Sequence, residues 1–174
     1  MATYQNSSLA INPLRLPLHI KIKWIMTFEL FLRYIHFVSI FAIVSTIASE
    51  HLLLKNEMTP QELKKLSRID SVYGIAAIVL LAAGLTLWLG AIGKPAAFYS
   101  QNWIFHLKLT LFVIVGLLSI YPTVFFIKGG KKEDATVKVP TIIFWMFRLE
   151  LLILFFIPIL AGLMSRGVGY TSSK

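Results

Sequence analysis

Cysteine is missing from all 174 residues, and its absence excludes disulfides, thiolate metal sites, iron–sulfur ligation and cysteine nucleophiles. Charged residues are few at 14%, with eight Asp and Glu against 17 Lys and Arg, a formal net charge of +9. That balance invites a nucleic-acid reading. The basic residues fall mostly in connections and helix ends, however, and no nucleic-acid-binding motif accompanies them, so nucleic acid is not expected as a partner. Nothing resembles a phosphate-binding loop, a serine triad or an HExxH helix, which argues against phosphoryl transfer and hydrolysis.

What the chain does have is apolar length. Hydrophobic residues make up 57% of it and the mean hydropathy is +0.75, well above the roughly 45–50% apolar content of a soluble domain. Four runs, at about residues 30–54, 72–92, 103–127 and 141–164, each approach the ~20 residues that cross a hydrocarbon core. Backbone groups in lipid must pair within their own segment, so these runs are helices. The expected fold is an all-α polytopic membrane protein, an antiparallel bundle of four transmembrane helices surrounded by the lipid bilayer. Four spans leave no room for a separate soluble enzyme module.

The organisation follows from the breaks between the runs. Residues 1–27 carry Pro13, Arg15, Pro17, Lys21 and Lys23 without the apolar core of a cleavable signal peptide. They read as an N-terminal extension, interfacial around residues 14–24, or as an overextended start with Met26 as the true one. Residues 28–169 are the membrane domain and 170–174 a short tail. Thr59-Pro60-Gln61-Glu62 is a capping box with proline at the first helical position, so the second helix should start about two turns outside the membrane. Ser100 or Asn102 can cap the third helix, and Gly129-Gly130 end it. Lys131, Lys132, Glu133 and Asp134 form a solvated loop. Lys55, Lys64, Lys65, Arg68, Lys128, Lys131, Lys132 and Lys138 gather in the first and third connections. By the positive-inside rule, that places both termini outside the cytoplasm of a bacterial plasma membrane.

Two polar layers interrupt the apolar helices. In one leaflet antiparallel topology collects His36, Trp88, His106, Lys108 and Arg166; in the other it collects Glu50, His51, Arg68, Asp70, Arg148 and Glu150. Ionisable residues at membrane depth are costly, about 2.5–3.5 kcal/mol for a charged one on insertion scales, and usually mark function. His36 begins a stripe through Ile40, Ile43 and Ile47 to Glu50 on one helix face. Two imidazoles at similar depth, His36 and His106, can ligate a haem iron from opposite sides; alternatively each is an interhelical hydrogen-bonding residue. Zinc fits poorly without a third ligand. The second layer reads either as a structural ion-pair layer, with Glu50 facing Arg68, or as half of a proton path through Glu50 and Glu150. Pro122 and Pro158 predict local kinks.

Several stretches carry a resemblance: Tyr34-Ile35-His36-Phe37, the segment from Leu66 to Gly74 that includes Arg68 and Asp70, His106-Leu107-Lys108, the segment from Gly116 to Thr123, Glu150, and Met164-Ser165-Arg166-Gly167. Over about residues 28–169 they resemble an uncharacterised bacterial four-span family, DUF2214. More remotely, His36 and His106-Leu107-Lys108 are similar to the pattern of HemJ-type protoporphyrinogen oxidases, although Ser49-Glu50-His51-Leu52 replaces the Pro-Arg motif expected after the first span. That likeness implies haem b held by His36 and His106, with Lys108 or Arg166 pairing a propionate, or Lys108 acting catalytically on a substrate carboxylate. Two readings from other classes remain beside it: a non-catalytic membrane subunit or assembly factor that docks a protein partner, and a small proton or solute transporter that works as a homo-oligomer.

Overall fold

The computed structural model describes residues 17–90, 92–132 and 136–171. Expectations about Pro13, Arg15, Glu133 and Asp134 lie outside them. Five helices follow one another: α1 (Leu18–Leu53), α2 (Pro60–Leu89), the short α3 (Ala96–Ser100), α4 (Trp103–Gly129) and α5 (Thr141–Ser165). Two-residue strands β1 (Glu57–Met58) and β2 (Val137–Lys138) pair antiparallel between them. The four long helices are each long and apolar enough to cross a membrane.

Local chemistry sets most helix ends. The Thr59 side chain accepts from the Glu62 amide at 3.3 Å and the Glu62 carboxylate accepts from the Thr59 amide at 2.9 Å, completing the capping box ahead of Pro60. Lys55 adds an ion pair to Glu62 at 2.7 Å. Of the two cap candidates for α4, Asn102 takes the role, its side-chain oxygen accepting from the Ile104 amide at 2.9 Å. Helices α4 and α5 run on through Pro122 and Pro158, each proline leaving the carbonyl four residues earlier without its helical donor. The largest departure from expectation is α1. It starts at Leu18 rather than near residue 30, because no breaker separates Pro17 from Leu53. At 1.5 Å per residue its 36 residues reach ~54 Å, against the ~30 Å of a hydrocarbon core. The added turns place Glu29 to pair with Arg33 at 2.7 Å and to rest against Gly93, whose φ of +84° and lack of a side chain make room for the carboxylate.

Packing runs around a ring, α1 on α2, α2 on α4, α4 on α5 and α5 on α1, so that neighbours are antiparallel and α1 lies diagonally across from α4. The predicted stripe on α1 faces the core: Ile43, Ile47 and Glu50 are each 1% exposed. Leu63, Leu66, Asp70, Tyr73, Ala76, Leu80 and Ala83 continue it on α2, and Phe126 stacks on Phe147 with ring centres 6.2 Å apart. The outside is as apolar as the inside. Phe41, Ile78 and Phe155 are about two-thirds or more exposed, a surface that hydrocarbon, and not water, solvates.

Both ends of the bundle are tied. At one, β1 and β2 join the connections that carry the lysines. At the other, the segment after α5 folds back on the start of α4: the Trp103 amide donates to the Gly169 carbonyl, Asn102 donates to the Val168 carbonyl at 3.0 Å, and the Thr171 amide donates to the Gln101 carbonyl. Gly167 and Gly169 adopt φ near +85°, the left-handed region where glycine is unstrained.

Candidate functional site

A residue two positions from another on an α-helix is turned by about 200°, so the two cannot share a face. Three pairs in this chain obey that rule and sort the polar residues. Asp70 is buried and Arg68 exposed on α2; Glu150 is fully buried and Arg148 exposed on α5, lying over the Trp145 ring; Lys108 turns inward on α4 while His106 turns out.

The inward residues of the first layer line a cavity of about 470 Å³ among all four long helices, within the roughly 300–1,000 Å³ typical of ligand sites. Ile40, Ile43, Leu80, Phe112, Leu154 and Ile157 are part of its apolar wall. Its polar groups are His36 from α1, Lys108 from α4 and Ser165 from α5, with Trp88 at the same end. The His36 Nδ1 atom is buried and makes no hydrogen bond of good geometry, although the ring lies beside the Leu80 backbone. Gly84 of α2 makes space for the ring: a Cβ there would lie 3.4 Å from His36 Cε1. Lys108 has no acidic partner among the described residues, where the ion pairs are Glu29–Arg33 and Lys55–Glu62.

His106 is not part of this lining. Its Nε2 lies 2.9 Å from the Ser100 carbonyl, and Ser100 also accepts from the Trp88 indole at 3.0 Å. Phe105, between Trp88 and Tyr99 with ring centres 4.8 Å and 5.6 Å away, closes the aromatic end. Arg166 caps the end of α5, exposed and away from the cavity. His36 and His106 therefore do not line the same cavity, because the face of α4 that delivers Lys108 carries His106 away. Spacing alone held that information. Gly84 and Ser100 had no such signal, since a glycine among alanines and a serine near a helix start are ordinary in any membrane helix.

The second layer is also assembled on one side and dispersed on the other. Glu50, Asp70 and Glu150 converge in the bundle at 1%, 6% and 0% exposure, within electrostatic reach of one another and of Tyr73. The Glu50–Arg68 ion pair is absent, since Arg68 faces outward. The Thr123 hydroxyl of α4 lies 3.0 Å from Asp70 Oδ1, within hydrogen-bond distance. Glu50 Oε1 and both oxygens of Glu150 are buried without any partner.

Fold and site together define a polytopic membrane protein, a four-helix bundle with an apolar cavity and a separate buried carboxylate layer. The chain belongs to the family described as "Predicted membrane protein (DUF2214)", which matches residues 28–169. No curated protein and no solved structure matches it.

Proposed function

We propose that the cavity binds an apolar planar cofactor of the haem b type, held at iron by His36 alone and at an acidic edge by Lys108, making the protein a membrane redox component. The observation that carries this reading is the buried, unpartnered imidazole nitrogen in an apolar chamber of adequate size. A neutral imidazole is the commonest protein ligand for metals, and a nitrogen with no hydrogen bond is free to serve. Haem would supply one-electron chemistry when bound; His36 would hold it at iron and Lys108 at its acidic edge, against largely apolar walls. The HemJ-type pattern puts two histidines at the iron. Here His36 alone lines the cavity, so the likeness extends to one ligand.

The lysine-rich connections, by the same proposal, face the cytoplasm of a bacterial plasma membrane. Absorption spectroscopy tests the cofactor reading. Protein produced with ample haem should purify from detergent with a Soret band that His36→Ala removes and His106→Ala leaves in place. A colourless wild-type protein overturns haem binding. A band that depends on His106 overturns the single-ligand arrangement.

A further inference from the structure

The carboxylate layer lies outside the cavity and needs its own explanation. Three carboxyl groups from three helices are buried near one another in the bundle, and no lysine or arginine side chain faces them. On α1 the neighbours are Glu50 and His51, whose Nδ1 is buried and unpartnered; on α2, Asp70 and Tyr73; on α5, Glu150. From α4 come the uncharged Thr123 and Ser119. Arg68 and Arg148 turn outward, and the nearby hairpin presents Glu57 and Lys138 to the exterior. Three fully ionised carboxylates so placed would repel one another with no compensating charge, an arrangement that proteins avoid by protonation.

Two observations identify what is bound. Glu150 is wholly enclosed, yet neither of its oxygens has a donor; a carboxylate only accepts, whereas a carboxylic acid carries its own O–H. The Thr123 hydroxyl has a single hydrogen but two acceptors, Asp70 Oδ1 at 3.0 Å and the Ser119 carbonyl at 2.8 Å. A proton on Asp70 resolves this, letting Asp70 donate to Thr123 while Thr123 donates to Ser119. A shared metal ion does not fit, since no three His, Asp or Glu among the described residues are placed to hold one.

We propose that Glu50, Asp70 and Glu150 form an intramembrane proton-binding site that takes up and releases protons reversibly, with His51 at its margin as the group nearest the lysine-rich end. The site stands independently of the cavity's ligand. Each event is a simple transfer: a carboxylate oxygen takes a proton from hydronium, one O–H bond forming on the carboxyl as one breaks on the hydronium to leave water, and the reverse step returns that proton.

Infrared difference spectroscopy of the purified full chain, with glutamate carboxyl carbons isotopically labelled, reads this directly. At neutral pH the wild type should show a protonated-carboxyl stretch that shifts in D₂O. Glu150→Gln should reduce it and Glu50→Gln with Glu150→Gln should abolish it, while Glu57→Gln, on the exposed strand, leaves it intact. Should those variants fail to fold, the wild-type spectrum still decides the matter. Only ionised glutamates at neutral pH would overturn the proposal, as would loss of the protonated band on adding sodium, potassium or calcium alone.

Discussion

Replacing Glu150 by leucine should make the protein more stable. The side chain is fully buried at the centre of the bundle and both of its oxygens lack partners. Leaving a buried polar group unsatisfied costs about 1–3 kcal/mol, and replacing buried ionisable groups with apolar residues of similar volume is often stabilising by about 1–4 kcal/mol. Leucine is somewhat larger than glutamate, so the volume it adds to a packed site holds the gain toward the lower part of that range. A net gain of ~2 kcal/mol corresponds to roughly 4–8 °C in Tm for a chain of this size. Thermal unfolding followed by circular dichroism in one detergent, for wild type, Glu150→Leu and Glu150→Gln, measures it. Glutamine, which still brings two polar ends into the same space, should gain less than leucine. If Glu150→Leu unfolds at a lower temperature than wild type, the carboxyl is satisfied by a partner and the reasoning fails. A gain in stability would mean the chain retains Glu150 at a stability cost, as expected of a functional group.

Gly84→Leu should fill the space beside His36, where even a Cβ would touch the ring at 3.4 Å; ligand binding should weaken by more than about tenfold, the equivalent of ~1.4 kcal/mol, with the helical circular dichroism unchanged. Asn102→Ala removes both the α4 cap and the bond to the Val168 carbonyl, at a combined cost of about 2 kcal/mol, so Tm should fall by roughly 4–8 °C; Asn102→Asp, which keeps the cap, should fall by less. Thr59→Ala opens the capping box, and hydrogen exchange in the first turn of α2 should quicken about fivefold while the core of α2 is unaffected.

How much of this was legible in the sequence depended on the range of the interaction. The spans were, because membrane thickness fixes their length. So were the Thr59 box and the α4 cap, which involve neighbours two or three residues apart. The stripe from His36 through Ile43 and Ile47 to Glu50 was legible too, since a helix repeats its faces. The start of α1 was not, because charges at Lys21 and Lys23 suggest an ending where the backbone meets no obstacle. The return of Val168, Gly169 and Thr171 onto Gln101 and Asn102 joins residues more than sixty positions apart. Nor was it visible that His106 would bond to Ser100, although its two-residue offset from Lys108 already ruled out a shared wall.

Cavity and carboxylate layer share an axis, and this gives the two-residue rule its consequence. On α5, Leu154 lines the cavity one turn, ~6 Å, beyond Glu150; on α1, Ile43 lines it two turns from Glu50. Buried Ile47 and Val115 lie on α1 and α4 between cavity-lining residues and the level of the acids, so a charge on the acids reaches the cavity through an apolar interval. A proton gained by Glu150 removes a charge ~10 Å from a ligand group at the level of Ile157. At an effective dielectric constant near 20 that is worth about 1.7 kcal/mol, a factor of roughly 15–20 in affinity for a charged group. Arg68 and Arg148 do not pair with the acids, since both turn to the outer faces of their helices. Had those arginines faced inward and paired with the acids, the layer would be a neutral strut with little influence on the cavity. Placed as they are, the acids give the charge in the cavity a dependence on protons bound one turn away.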